Sequence, residues 1–543
     1  MSATQGPSLT ARFRGNVRTR APLHPLEKAV LGLTCLHLGF LPWALGTMHV
    51  WSQLTSLALA TVTFIVALIP RVYSGELARA PGAAAWSRDH GTKNDPPPPS
   101  PAAPRSAPHG PRSQPNALNS PLSAPSSLLP PSSVRYAPWR RLFRFPIFWL
   151  GLALLGYIGL QAANPSWVWE RNATHWWLRR VTDISWLPTS IQTPFERFNL
   201  WRQFIIYAAA WLTICALWIG LTRRRSIELL LSFIGLNGLL LAVTGLLIRL
   251  FRPPSYVLWF DRPWSGVTSF ASFIYKNHAG AWLALAAGAL AALGAFHALR
   301  SRQRLARSSP APLFIPCLGG LVAAEAFTFS RVGTALLLGY LAIAVLLFGI
   351  HQFRHRQASA MNHAVFLSLF AVVAAGVAFS LSFVDFTKVE ARFSRLLKDD
   401  ATDISQRSEA YAASIEMLED HWHRGVGAGG FRYLYPEYIK HRPAIYKGGR
   451  AFWEHAHNDW LQLPIELGAG GCTFILAGFA VTALGLVRKR FWRHLPVVFL
   501  VLGLAQTLVH ALFDFPFQNP AVLITWTALL TIALQWADLD ASA

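Results

Sequence analysis

The sequence carries few charged side chains for a chain of its length. Only 14% of the 543 residues are Asp, Glu, Lys or Arg, whereas 53% are hydrophobic. Soluble domains carry about 25% charged residues, so this composition excludes an ordinary soluble globular protein. The 22 Trp and 35 Phe residues add an aromatic content that is typical of membrane interfaces. We therefore predict an all-α, polytopic membrane protein.

Acidic residues are the scarcer of the two charge types. The chain has 26 Asp and Glu against 49 Lys and Arg, which gives a formal net charge of +23. Such an excess could indicate a nucleic-acid partner, but basic residues in a membrane protein more often lie in cytoplasmic loops and fix the topology. We therefore expect membrane lipids, and no nucleic acid, as partners.

Cysteine is rare as well, with four residues in the whole chain. Each lies in or beside an apolar run, and none has a partner at CxxC spacing, which excludes a disulfide framework and a thiolate metal site. They are therefore predicted to be small buried apolar side chains: Cys35, Cys215, Cys317 and Cys472.

Long apolar runs dominate the rest of the sequence, and a membrane-spanning helix needs about 20 such residues. We predict about twelve transmembrane helices, at residues 28–47, 52–71, 145–163, 202–221, 227–249, 277–298, 312–329, 333–352, 362–383, 461–486, 494–513 and 520–536.

The dense basic clusters test this assignment. With the N-terminus in the cytoplasm and the side alternating at each span, all the dense short clusters fall on the cytoplasmic side, as the positive-inside rule requires. They are Arg140, Arg141 and Arg144, then Arg223 to Arg225, residues 300–307, residues 353–357, and Arg488, Lys489, Arg490 and Arg493.

The spans divide the chain into segments. Residues 72–144 are rich in Pro, Ser and Ala and are predicted to form a disordered cytoplasmic loop. On the other side, residues 384–460 form the largest loop, predicted to fold as a small helical cap. The remaining boundaries are 1–27 for a cytoplasmic tail, 28–71 for spans 1 and 2, 145–383 for spans 3 to 9, and 461–536 for spans 10 to 12.

Two arginines on the outer side need an explanation. Arg331 stands in FTFSRVGTALL, between two spans that are joined by almost no loop. It either reaches the interface by snorkelling or meets an anion. Arg407 heads an amphipathic helix of the large loop, where a solvated helix face is the competing interpretation. A guanidinium group can donate two hydrogen bonds to the oxygens of one phosphate. These residues therefore favour an anionic ligand such as a polyprenyl diphosphate.

Other outer polar groups lie at span ends. Asn277 and His278 open span 6 as possible capping and interfacial groups. Asp514 follows span 11 and is expected to pair with an arginine or with His510 at i, i+4 spacing.

The stretch EHAHNDWLQLPIELGAGG, residues 454–471, gathers polar side chains at the mouth of span 10. If residues 455–468 are helical, His457 lies apart from a stripe that comprises His455, Asp459, Gln462 and Glu466. His457 is either a catalytic base or a hydrogen-bonded structural residue. Histidines two residues apart do not face one way on a helix, so no metal site is predicted.

The order of these motifs resembles the O-antigen ligase and polymerase family of bacterial membrane glycosyltransferases. His457 and Asn458 are followed by nine residues and then by Gly468 to Gly471, which matches the ligase signature of the family. Further similar stretches are Ser330-Arg331, Arg407 ahead of HRGVGAGGF, KNHA at 276–279 and HALFDFP at 510–516. The resemblance covers about residues 250–516 and the twelve-span plan.

The resemblance implies a GT-C-like membrane fold and a function. Arg331 and Arg407 would bind the diphosphate of an undecaprenyl-diphosphate-linked glycan, and His457 would activate the acceptor hydroxyl. Transfer would proceed with inversion and without a metal or cofactor, at the periplasmic face of the bacterial inner membrane. Supporting roles would fall to Asn458, His455, Asp459, Glu466, Asn277, His278 and Asp514.

Several alternatives stay open on the sequence. The acceptor could be lipid A core, as for a ligase, another repeat unit, as for a polymerase, or a protein hydroxyl, as for an oligosaccharyltransferase. A transporter of an anionic solute is an alternative from another class, and its expected sign is a pair of broken helices in related halves of the chain.

Overall fold

The computed structural model describes residues 23–73, 134–252, 256–259, 269–303, 309–354, 402–446 and 454–541, with isolated helical positions between 371 and 378. Most of the predicted tail, of the proline-rich loop and of the span predicted at 362–383 lies outside these residues.

The described residues form a helical bundle, which confirms the all-α polytopic class. The helices are α1 (Pro25–Trp43), α2 (Val50–Leu68), α3 (Pro138–Phe143), α4 (Pro146–Ala163), α5 (Leu200–Gly220), α6 (Arg224–Phe251), α7 (Lys276–Gln303), α8 (Phe314–Thr328), α9 (Arg331–Arg354), α10 (Thr402–His421), α11 (Phe431–Ile439), α12 (Asp459–Arg488), α13 (Leu495–His510) and α14 (Pro520–Ala541). Apart from the run at 362–383, each predicted apolar run overlaps one of them.

Nine helices of the described ranges are long and apolar enough to cross a membrane. They are α2, α4, α5, α6, α7, α8, α9, α12 and α14, and α13 is a shorter apolar helix. The chain is therefore a multi-pass membrane protein.

Helix α7 runs through the centre of the bundle. In its most apolar stretch, 94% of the residues are buried. Its small residues let neighbouring backbones approach closely. A Cβ atom added to Gly288 would lie 3.2 Å from the Cα atom of Gly503 in α13. The backbones of α7 and α13 are therefore in close contact near the middle of both helices.

A three-stranded sheet lies between α4 and α5, where the sequence predicted no strand. Strand β3 (Pro165–Arg171) pairs antiparallel with β4 (Trp176–Arg180) and parallel with β5 (Ser190–Gln192). Trp and Val favour strands, and the Asn172 side chain closes the β3–β4 turn by accepting from the backbone N–H of His175 at 2.7 Å. Apart from this sheet, β1 (Arg71–Tyr73) and β2 (Val134–Tyr136) pair antiparallel within a separate compact unit.

The sheet and the large loop share one apolar core, so the predicted helical cap also contains strands. Helices α10 and α11 supply most of this core, and α12 adds a residue from the bundle. Its members include Trp169, Ile191, Met417, Phe431, Tyr435 and Ile465. The apolar packing therefore ties the outer segments to the start of α12.

Helix α12 begins at Asp459, two residues before the predicted span, and contains a break. Residues 455–458 are not helical, and the Asn458 side chain caps the helix by accepting from the backbone N–H of Leu461 at 3.2 Å. An oxygen-bearing side chain suits this capping position, so the helix starts after Asn458 and not at His455. Gly468 has φ 63° and ψ −175°, and this conformation interrupts α12 at a glycine and not at Pro464.

The HRGVGAGGF turn fills the break in α12. The backbone N–H groups of Val426 and Gly427 donate to the carbonyl oxygens of Ile465 and Glu466 at 3.0 and 2.9 Å. Gly468 lies against this turn: a Cβ atom added there would lie 2.7 Å from the backbone nitrogen of Gly425. The turn thus satisfies carbonyl groups that an unbroken helix would satisfy itself.

Candidate active site

His457 lies in the non-helical stretch just before α12. Its backbone has φ 52°, in the left-handed region that few non-glycine residues adopt. The Tyr411 hydroxyl of α10 donates to the His457 carbonyl oxygen at 3.2 Å, and Asn458 caps the following helix. The side chain is 27% exposed. The backbone of His457 is therefore held in an unusual conformation while its ring stays accessible, a combination that favours a functional residue.

Asp514 is the partner of His457. The Nδ1 atom of His457 lies 3.3 Å from Oδ1 of Asp514, a side chain that is only 4% exposed. Oδ1 also accepts from the backbone N–H of Phe515 at 3.0 Å. With Nδ1 directed to the carboxylate, Nε2 is the ring atom left to accept a proton. The sequence predicted an arginine or His510 as the partner of Asp514. Among the described residues its ion pair is with His457, and His510 acts on it through its charge.

The second carboxylate oxygen of Asp514 faces the start of α7. Its Oδ2 atom accepts from the Asn277 side-chain amide and from the Tyr275 hydroxyl, the latter at 3.2 Å. Burial alone raises the pKa of Asp514, but the hydrogen bond and charge of His457, with smaller contributions from His278 and His510, lower it to about 2. Asp514 is therefore ionised at neutral pH and can hold and orient the His457 ring.

Phe515 joins the aromatic side chains of this centre. Its ring stacks on His455 with centroids 4.3 Å apart and meets the edge of His457 at 4.8 Å. Tyr275 stacks on it at 5.2 Å, and His278 lies at 5.0 Å with its Nε2 atom 3.2 Å from the Phe515 carbonyl oxygen. His278 is buried here and not the interfacial group that the sequence suggested, because Phe515 and Asn519, in the segment between α13 and α14, contact its ring.

The predicted polar stripe is correct in part. The Gln462 side-chain nitrogen lies 3.2 Å from His455 Nδ1 and donates to Glu466 Oε1 at 2.9 Å. Glu466 Oε2 accepts from the Gly429 backbone N–H at 2.9 Å. Burial lowers the pKa of His455 well below its ordinary value, so this ring is neutral near pH 7. Asp459 turns away and accepts from the Phe517 backbone N–H at 2.8 Å.

Arg331 lies at the start of α9, and its side chain is exposed. Phe329, with φ 60°, reverses the chain between α8 and α9, and Ser330 Oγ accepts from the Gly333 backbone N–H at 3.3 Å. The charges of Arg331, Arg249 and Asp514 all act on Lys276. Arg331 therefore belongs to a cationic group with Lys276 and Arg249, and Asp514 lies near enough to act on the same lysine.

Arg407 occupies α10, but its side chain lies outside the described part of the molecule. Residue 407 stands four positions before Tyr411, and positions so spaced share a helix face. Tyr411 contacts the backbone of His457, so the backbone of α10 places residue 407 on the face that approaches the centre.

Sequence reasoning missed several contributors to this centre. Tyr275 directly precedes the noted LysAsnHis stretch, and Phe515 lies within the noted HALFDFP stretch. Arg249 lies in a predicted span and donates to the carbonyl oxygens of Phe327 and Ser269 at 3.2 and 2.6 Å. A charge within an apolar run was the available signal for Arg249. In the described ranges, no group of three or more His, Cys, Asp or Glu side chains could hold a metal ion.

Comparison with known proteins finds a family match that covers part of this centre. Residues 316–476 match the family model described as O-antigen ligase. The match begins in α8 and ends in α12, so it contains Arg331, residue 407 and His457 but neither Asn277 nor Asp514. A search of curated proteins and a search of solved structures gave no match.

Proposed function

We propose that this chain, whose residues 316–476 match the O-antigen ligase family model, transfers a glycan from undecaprenyl diphosphate to an acceptor hydroxyl group. The reaction takes place at the periplasmic face of the bacterial inner membrane and serves surface polysaccharide biosynthesis. The family supports a membrane glycosyltransferase-like role, and the donor, the face and the reaction course are our proposals.

The contact between His457 and Asp514 is the observation that carries the proposal. A carboxylate 3.3 Å from Nδ1 favours the tautomer in which Nε2 is unprotonated and stabilises the imidazolium that forms when Nε2 takes a proton. In the proposed reaction, Nε2 accepts the proton of the acceptor hydroxyl. The hydroxyl oxygen then bonds to the anomeric carbon of the donor sugar while the bond from that carbon to the diphosphate breaks.

The leaving group in this reaction is undecaprenyl diphosphate, which gains negative charge as the bond breaks. Lys276 and Arg331 form the cationic group on the Asp514 side of the centre, and we assign the diphosphate to them. Fixed cations that face developing charge lower the barrier because they need no reorganisation during the reaction. Arg407 is proposed as a further diphosphate ligand on the strength of the family resemblance. A single displacement of this kind inverts the anomeric configuration.

A transfer assay with the purified full-length protein tests the proposal. The donor is a defined undecaprenyl-diphosphate-linked glycan, and lipid A core, a second lipid-linked repeat unit and a protein substrate are offered separately. We expect transfer to lipid A core, with loss of transfer in His457→Ala. His175→Ala is the matched control, since His175 is an exposed histidine in the β3–β4 turn.

The three acceptors separate the alternatives within the family. Transfer to the repeat unit alone would indicate a polymerase, and transfer to the protein substrate alone would indicate an oligosaccharyltransferase. Full transfer by His457→Ala would contradict the role assigned to His457.

One observation supports the transporter alternative: α12 is broken at Gly468. In transporters, the open carbonyl groups of broken helices bind ions. Here the backbone N–H groups of Val426 and Gly427 take up the carbonyl groups beside the break, so they are not available to an ion. This pairing favours the transferase over the transporter.

A further inference from the structure

A second group of cationic side chains lies around Phe198, apart from Lys276 and Arg331. Arg202 belongs to the first turn of α5, and Arg432 belongs to the first turn of α11. Their guanidinium carbons lie 5.3 and 5.2 Å from the centroid of the Phe198 ring. Arg197 precedes Phe198, and its charge acts on Tyr433 together with those of the other two arginines. We call Arg197, Arg202 and Arg432 the arginine trio.

Arg202 is buried in neutral surroundings. Only 7% of the residue is exposed. In the part of the chain that the structure describes, its guanidinium donates to Gln53 Oε1 at 2.9 Å and to the Met48 carbonyl oxygen at 2.8 Å, and both acceptors are uncharged. A buried cation without an opposite charge is costly, so this position favours a charged ligand.

The positive charge of Arg432 is also only partly compensated by its neighbours. Its Nη2 atom pairs with Glu454, whose side chain is 61% exposed, and such a surface ion pair contributes little. Its Nε atom is buried and has no hydrogen-bond partner among the described residues. The positive charges of Arg202 and Arg432 also act on each other. An anion placed between them would satisfy the Nε atom and relieve the repulsion.

The trio borders the catalytic centre on the side of His455. The charge of Arg432 acts on His455 and Glu466, which Gln462 links by hydrogen bonds. The rings of His455 and His457 both contact Phe515. Lys276, by contrast, lies near Asp514, whose charge acts on it. The two cationic groups therefore border different residues of the centre, one group near His455 and the other near Asp514.

We propose that the arginine trio binds an anionic group of the acceptor, a phosphate or a carboxylate, and thereby directs the acceptor hydroxyl to His457. This inference rests on the proposed function. A transferase must hold two substrates at one base, and the cations near Asp514 are already assigned to the donor diphosphate. Guanidinium groups bind oxyanions through paired N–H donors, which matches a phosphate or carboxylate. Binding away from the reacting atoms then lowers the entropic cost of bringing the two substrates together.

Anion binding is tested first, without any transfer. The purified full-length protein in uncharged detergent is titrated with inorganic phosphate at constant ionic strength, and the thermal midpoint is recorded. We expect phosphate to raise the midpoint of the wild-type protein, and to raise it much less in Arg202→Gln and Arg432→Gln. Arg442→Gln is the matched control, because Arg442 forms an exposed ion pair with Glu416.

Weaker phosphate binding in the arginine variants could also result from misfolding, so a further variant is needed in which tighter binding is expected. Glu454→Gln removes the carboxylate that competes for Arg432 and leaves all three arginines in place. We expect this variant to bind phosphate more tightly than the wild type. Unchanged or weaker binding in Glu454→Gln, or a full phosphate effect in both arginine variants, would overturn the anion site.

The acceptor assignment is tested by transfer kinetics with an acceptor before and after enzymatic removal of its phosphates. With the phosphorylated acceptor, we expect Arg432→Gln to raise KM by about 10-fold or more, the effect of losing a hydrogen bond between charged groups. We expect kcat to change less than about 2-fold, because the trio does not touch the reacting atoms. With the dephosphorylated acceptor, the wild type and Arg432→Gln should have the same KM.

Two outcomes would overturn the acceptor assignment. One is a midpoint shift with phosphatidylglycerol vesicles that phosphate does not compete away, which would identify a lipid headgroup as the ligand. The other is an equal loss in Arg432→Gln with both acceptors. If no acceptor receives glycan while phosphate binding still depends on the trio, the proposed function fails and the anion site remains.

Discussion

His457 and Asp514 meet through Nδ1 and Oδ1 at 3.3 Å although 57 positions separate them in the chain (514 − 457). The first residue precedes α12 and the second follows α13, so the fold of two helices brings them together. Asp514 is ionised, buried and held by Asn277 and Tyr275. These contacts fix the direction of the His457 ring.

Replacing Asp514 by Asn tests this orientation. The amide keeps the size of the side chain but can donate to Nδ1, which favours the tautomer with a proton on Nε2. We expect kcat for glycan transfer to fall by about 100-fold to 10,000-fold, as when a carboxylate that orients a catalytic histidine is lost. Donor binding, measured with a labelled lipid-linked glycan, should change little. Asp420→Asn, at an exposed position of α10, is the control and should keep full activity.

The diphosphate assignment is tested at Lys276. Lys276→Gln removes one cation of the group that includes Arg331, so we expect KM for the donor to rise and the acceptor KM to stay unchanged. The size of the effect should shrink at high salt, because Arg331 of the same group is exposed and salt screens its charge. Lys440→Gln removes an exposed lysine of the cap and serves as the control. An increase in the acceptor KM alone would contradict the assignment of the donor to this side.

Gly468 tests the broken helix. Its φ of 63° with ψ −175° suits glycine almost exclusively, and a Cβ atom would lie 2.7 Å from the Gly425 nitrogen. We expect Gly468→Ala to lower the free energy of unfolding by about 2 kcal/mol or more, with loss of transfer because the turn beneath Glu466 must move. The thermal midpoint in detergent measures this change.

Gly478 supplies the matched control for that substitution. It lies in the same helix, and the nearest atom to an added Cβ is Ile147 Cδ1 at 4.0 Å. Gly478→Ala should leave stability unchanged or raise it, since alanine favours helix by about 1 kcal/mol over glycine. Equal effects of the two substitutions would contradict a special role for the Gly468 backbone.

His455 makes stability depend on pH in a defined direction. Burial lowers its pKa in the folded protein, so below about pH 6.5 the unfolded chain binds a proton that the folded chain does not bind. The stabilising contribution is therefore full above pH 6.5 and is lost as pH falls towards the folded pKa. We expect the thermal midpoint to drop between pH 7.5 and pH 5.5, and to drop less in His455→Asn. An equal drop in the variant would exclude His455 as a source of the pH dependence.

The sequence predicted the helices well because apolar length is a local property. The β3–β5 sheet was missed because short Trp-rich strands in an outer loop lack a clear alternation. Pairing of Asp514 with His457, and the approach of Arg202 to Arg432, depend on how distant helices pack, and no local pattern encodes that geometry. The strained φ of His457 likewise arises from contacts with α10 and α12.

The measurement that bears most directly on the account is the rate of a single turnover with bound donor, for His457→Ala, Asp514→Asn and the double variant. If Asp514 acts through His457, the two losses do not add, and the double variant is no slower than His457→Ala. Two results would contradict a catalytic pair of His457 and Asp514. One is a double variant whose fold-loss in rate equals the product of the two single losses, and the other is transfer at the wild-type rate by His457→Ala.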